Sequence, residues 1–132
     1  MAIGTRKVDR RGAILSWLTL IAYMSLIFIL SSRTTPDILP ETLNIDKIIH
    51  IAAFGILSAL WVRAIESRWT EMDNKRLFIT AVILTSLYGI SDEVHQSFVP
   101  GRISGAYDIV ADIIGALLGA RLYLRYTERQ GE

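Results

Sequence analysis

Tyr88-Gly89-Ile90-Ser91-Asp92-Glu93-Val94-His95-Gln96-Ser97-Phe98-Val99-Pro100-Gly101-Arg102 breaks an apolar run with acids, a histidine, an amide and an arginine. How that break is read decides the fold. Leu77 to Ile90 is almost wholly apolar, yet its 14 residues fall short of the roughly 20 needed for a helix to cross a bilayer. A helix that does cross must carry part of the polar cluster with it. Each ionisable group near the hydrocarbon core costs roughly 2.5 to 3.5 kcal/mol on insertion scales, so a chain that keeps several there marks a candidate functional site.

The rest of the chain supports lipid as the solvent. At 132 residues it is one domain, and 52% hydrophobic residues is high for a soluble fold of that size. There is no cysteine, so disulfides and thiolate metal sites are excluded. Residues 1–12 are polar and basic, with Arg6, Lys7, Arg10 and Arg11, and the apolar run Ala13 to Leu30 that follows is long enough to span. That run exceeds a 7–15-residue signal core, and Ser31-Ser32-Arg33 is a poor cleavage site, so a retained signal-anchor helix is expected. Ser16 and Ser25 within it read as packing or back-bonded hydroxyls.

Arg33 to Ile45, with Pro36, Pro40, Asp37 and Glu41, reads as a short exposed connection. A second apolar helix is expected from Asp46 to Ile65, a hydrophilic loop from Arg63 to Arg76, and a third helix from Leu77 to the turn signal Pro100-Gly101. A fourth is expected from Tyr107 to Leu124. The fold class is therefore an all-α integral membrane protein, a four-helix transmembrane bundle. It divides into a basic arm (1–12), the membrane domain (13–125) and a tail (126–132).

Charge sets the orientation. The N-terminal arm, the second loop and the C-terminal segment together hold eleven Lys and Arg, against only Arg33, Lys47 and Arg102 on the other side. The positive-inside rule then places both termini and the second loop in the cytoplasm. Asp46, Lys47, His50, Asp92, Glu93, His95, Gln96, Arg102, Asp108 and Asp112 all fall toward the outer face, where seven acids oppose three bases. Pairing alone would leave carboxylates over, which suits protons, a cation or a basic substrate group.

Spacing groups these residues. Asp46 and His50 are i and i+4 on one helix face. Asp92, His95 and Gln96 share a face if the third helix continues, and Glu93 lies about 100° round from Asp92. Asp108 and Asp112 are i and i+4, followed on the same side by Gly115-Ala116-Leu117-Leu118-Gly119, a small-xxx-small pattern that lets another helix approach closely or pairs two copies of the chain. Imidazole and carboxylate ligands suffice for Zn²⁺ or another divalent ion, but the spacing matches no strong metal motif, and Asp46/His50 and Asp92/His95 would have to be brought together by packing. A metal-free acid–base site, with Arg102 clamping an anion, and a purely structural interhelical network fit the same residues. Asp108 also suits the start of the fourth helix by charge alone.

Some classes are excluded. No glycine-rich phosphate loop follows a strand pattern, and the basic residues flank membrane segments, so neither nucleotides nor nucleic acids are expected partners. Ser91, Ser97 and Ser104 lie in no nucleophile-elbow pattern.

The combination Asp46-Lys47-x-x-His50 with Phe54-Gly55, then Tyr88-Gly89-x-x-Asp92-Glu93-x-His95-Gln96-x-Phe98-x-Pro100-Gly101-Arg102, then Asp108-x-x-x-Asp112-x-x-Gly115, resembles the VanZ-like family of small bacterial membrane proteins. The likeness covers residues 44–120, and Asp112 stands where many relatives have Asn. The resemblance implies a multi-pass protein of the bacterial inner membrane and a link to resistance against teicoplanin, a lipid-tailed antibiotic that binds peptidoglycan precursors outside the cell. A housekeeping envelope role is the broader expectation. On this reading the outward-facing cluster binds or processes an amphiphilic or lipid-linked envelope molecule. If it is catalytic, as a hydrolase or transferase, Asp92 or Glu93 is the base and His50 and His95 carry protons or hold a metal. Asp46, Gln96, Arg102, Asp108 and Asp112 bind substrate. The alternative is a non-catalytic membrane protein whose polar cluster is an interhelical network.

Overall fold

A computed structural model of the chain describes residues 9–33, 45–102 and 105–130. Among them are four α-helices and no strand: α1 (Arg10–Ser31), α2 (Ile45–Arg68), α3 (Asn74–Gln96) and α4 (Ala106–Gln130). Long apolar runs become helices because a helix satisfies every backbone N–H and C=O within itself, the condition that lipid imposes. Polar residues mark the starts. Asp9 caps α1 by accepting from the Arg11 N–H at 3.1 Å, and Asp73 caps α3 by accepting from the Arg76 N–H at 2.9 Å.

The boundaries differ from the sequence reading in one informative place. The third helix stops at Gln96, not at Pro100. Residues 97–101 form a turn held by bonds from the Phe98 N–H to the His95 carbonyl and from the Val99 N–H to the Gln96 carbonyl. Gly101, at φ 77°, takes the left-handed conformation that only glycine adopts freely. The fourth helix runs on to Gln130, past the apolar segment that ends at Leu124, because its last residues are good helix formers.

Three helices, α1, α2 and α3, are long and apolar enough to cross a membrane. At about 1.5 Å per residue, the 25 residues of α4 extend some 37 Å, but α4 is not among the helices apolar enough to cross. Apolar residues ring the outside of the bundle: Leu18 and Ile21 on α1, Ile56 on α2, Leu87 on α3 and Leu122 on α4 are all more than half exposed. Such a surface suits lipid. The expected connection at 33–45 and the basic residues Arg6 and Lys7 fall mostly or wholly outside the described residues.

Contacts run up-down-up-down. Trp17 and Trp69 meet edge to face at 6.2 Å, and the Asn74 amide donates to Glu128 at 2.7 Å, which gathers the start of α1, the end of α2, the start of α3 and the end of α4 at one end. Ser32 lies 2.9 Å from His95, and Lys47 pairs with Asp108, at the other. So α2 and α4 run parallel, with α3 antiparallel to both. The α2–α4 pair is the most extensive in the bundle. Its closeness is set by glycine: a Cβ on Gly119 would collide with the backbone of Gly55, and one on Gly115 with the Ile51 carbonyl. The small-xxx-small pattern is thus used within the chain, where α2 and α4 approach backbone to backbone.

Candidate functional site

At the end of the bundle away from the termini, six polar residues of α2, α3 and α4 are buried: His50, Asp92, Glu93, Gln96, Asp108 and Asp112. Parallel packing of α2 against α4 produces the first two pairs. The His50 Nδ1 lies 2.8 Å from Asp112 Oδ1, and the Lys47 ammonium donates to Asp108 one turn nearer the end. His50 is further fixed by stacking on Phe54, with ring centroids 6.1 Å apart and planes 1° from parallel.

Asp112 reaches α3 as well. It fits over Gly89, where a Cβ would meet Asp112 Oδ2 at 2.8 Å and the Phe54 ring at 3.2 Å. The Tyr88-Gly89 pair before the polar stretch therefore serves the site: the glycine leaves room for the α4 carboxylate. The Tyr88 hydroxyl donates to the Met24 carbonyl at 2.6 Å and ties α3 to α1.

On α3, the Gln96 amide donates to Asp92 Oδ2 at 2.8 Å and its carbonyl oxygen accepts from Arg102 Nε at 3.1 Å. The turn after Gln96 folds Arg102 back toward its own helix. Glu93 accepts from the Gly105 N–H at the head of α4. One oxygen on each acid, Asp92 Oδ1 and Glu93 Oε2, is buried with no hydrogen-bond partner among the described residues. Unpaired buried carboxylate oxygens are expensive, and among the described residues nothing pairs these two.

Two expectations about α3 change. Glu93, placed 100° away from Asp92 by the helical wheel, is brought inside because α4 packs on that side, within electrostatic reach of His50, Asp108 and Asp112. His95 goes the other way. Its ring stacks on Phe28 of α1 at 4.4 Å and its Nε2 meets Ser32, so α1 takes it away from the Asp92–Gln96 pair. The metal grouping shifts in the same manner: Asp46, His50 and Asp108 each offer a ligand atom within 4.8 Å of the others, whereas His95 is not among them.

Lys47 was missed as a site residue. Its ammonium joins Asp46 at 3.2 Å and Asp108 from the adjacent helix. A lysine within an apolar helix, next to an acid, was the available signal. The serines behave as ordinary helical hydroxyls: Ser16 and Ser25 bond back to the carbonyls of Gly12 and Ile21, both at 2.9 Å, and Ser91 and Ser97 to those of Tyr88 and Val94. Ser104 lies outside the described residues.

Four packed helices with an aliphatic exterior and ionisable groups buried at one end are compatible with a multi-pass membrane protein. The VanZ/LLP1 family model matches residues 9–127, nearly the whole chain, and the protein belongs to that family. No curated protein and no solved structure matches it.

Proposed function

We propose that the protein is a four-span envelope protein of the bacterial inner membrane, with α4 as the fourth span and both termini in the cytoplasm. Residues 1–12 and 126–132 flank the membrane domain on that side. The buried polar end of the bundle faces outward and engages an amphiphilic or lipid-linked envelope molecule. The carrying observation is the pair of oxygens on Asp92 and Glu93 that have no partner among the described residues, inside a cluster that α2, α3 and α4 build together. A network made only for packing would close its own hydrogen bonds. Arg102 and Lys47 supply the cationic groups for a polar head, and the aliphatic surfaces of Ile48 and Val110 beside the cluster supply the apolar wall for a chain.

Within this reading Asp46, Gln96, Arg102, Asp108 and Asp112 position the head group. Asp92 and Glu93 are the proton acceptors if the molecule is processed, with His50 held ready by Asp112. His95 anchors α1 to the site's rim. Glycopeptide resistance would then be one outcome of holding an envelope precursor.

Two experiments test it. Single cysteines at positions 38 and 103 should be labelled from outside the cell and a cysteine at 70 should not; the reverse pattern overturns the orientation. Purified protein should retain a lipid-linked molecule by native mass spectrometry, and Glu93→Gln should release it. Equal retention in the two would remove the cluster from binding and leave the structural network, which the pairing of His50, Gln96 and Lys47 favours.

A further inference from the structure

The mouth of the cluster, whose residues the lipid reading assigns to the head group, also holds a geometry that lipid binding does not require. His50 is 8% exposed. Its Nδ1 faces the buried Asp112 carboxylate at 2.8 Å, and its Nε2 lies 3.8 Å from Asp46 Oδ1, too far for a hydrogen bond and with no other bond among the described residues. A carboxylate on Nδ1 puts the ring proton there and turns the Nε2 lone pair outward, the arrangement that a metal-ligating histidine almost always has behind it.

The spacing fits an ion. Two donors each about 2.1 Å from a shared Zn²⁺ stand roughly 3.4 Å apart at the tetrahedral angle and at most about 4.2 Å apart in line. The 3.8 Å between His50 Nε2 and Asp46 Oδ1 falls inside that window. Asp108 completes the triad, with all three ligand atoms within 4.8 Å of one another. A fourth acid stands close by: Glu93 is 7% exposed, has a partnerless Oε2 and lies within electrostatic reach of His50 and Asp108.

One group already sits there. The Lys47 ammonium bridges Asp46 Oδ2 and Asp108, the same two carboxylates that would ligate the ion. We infer that Asp46, His50 and Asp108 form a divalent-cation site of the Zn²⁺ type, closed in the resting chain by Lys47 as a tethered cation that the incoming ion displaces. Imidazole among the ligands selects against Mg²⁺ and Ca²⁺, which prefer oxygen alone. The ion site shares Asp46, His50, Asp108 and Lys47 with the proposed head-group site, but an ion can enter whether or not an envelope molecule does, so metal binding is tested separately from lipid retention.

The test is equilibrium dialysis of the full chain in detergent against Zn²⁺, after washing with chelator. One ion per chain is expected. Asp112→Asn should weaken binding about 10- to 100-fold by loosening His50, the effect of removing a carboxylate behind a ligand. His50→Gln and Asp108→Asn should weaken it at least as much, and His95→Ala should not change it. Lys47→Gln should bind Zn²⁺ more tightly than the natural chain, a gain that misfolding cannot produce. Unchanged affinity in His50→Gln, an equal loss in His95→Ala, no saturable binding, or no gain in Lys47→Gln would each overturn the proposal.

Discussion

The two ends of this bundle are made by the same four helices with opposite chemistry. At the end that carries the termini, Val62, Ile65, Leu77, Ala81, Ala120 and Leu124 form a dry, closely packed core. At the other end the same α2–α3–α4 interface buries His50, Asp92, Glu93, Asp108 and Asp112. The apolar end is closed almost wholly by apolar packing, although the Trp61 Nε1 packed against it has no hydrogen-bond partner among the described residues. The polar end is only partly complete, with Asp92 Oδ1 and Glu93 Oε2 unmatched. Stability is therefore expected to reside at one end and function at the other, as is usual when functional acids are held at a cost to the fold.

The contrast is most sharply broken at the seam joining the ends. Gly119→Val should cost about 4 kcal/mol or more, since its side chain would meet the Gly55 backbone rather than a movable side chain. Thermal unfolding in detergent measures this, and a mild loss would mean that α2 and α4 can separate without harm. Leu77→Ala, at 1% exposure in the apolar core, should cost about 2 to 5 kcal/mol by the same measurement.

At the polar end the effects should be smaller and of mixed sign. Asp112→Ala should destabilise by about 1 to 3 kcal/mol because it strips His50 of its buried partner. Asp92→Asn should leave stability unchanged or raise it by up to about 1 kcal/mol, since the amide oxygen can still accept from Gln96 while the buried charge disappears. A clear loss would identify the polar end as a packing network after all. Smallest is His95→Phe, which keeps the stack on Phe28 and loses only the Ser32 contact. A change of less than about 1 kcal/mol is expected, the net worth of one hydrogen bond.

Much of this was legible in the sequence, for physical reasons. Apolar runs with basic flanks gave the four helices, because burial in lipid demands length and composition that little else produces. The i, i+4 pair Asp108/Asp112 is buried in the bundle as its spacing suggested, whereas of Asp46/His50 only His50 is buried and Asp46 stays exposed at the rim; Gly115 and Gly119 marked the close approach. What the helical wheel could not supply was the neighbour on each side. Glu93 and His95 flank Asp92 on α3, about 100° to one side and about 60° to the other, and it is the packing of α4 on one flank and α1 on the other that makes one an acid buried in the cluster and the other a histidine stacked on α1. The pairing of Lys47 with Asp108 was illegible for the same reason, since it depends on two parallel helices more than sixty residues apart in sequence. The turn at 97–101 lies between these cases: Pro100-Gly101 announced it, but its start at Ser97 was not marked by any glycine or proline.

The parallel pairing of α2 with α4 also orders events during synthesis. Lys47 and His50 leave the ribosome with the second helix, but their partners, Asp108 and Asp112, arrive with the last. Until the final helix docks, Lys47 and His50 have only the neighbouring Asp46 on their own helix as counter-ion.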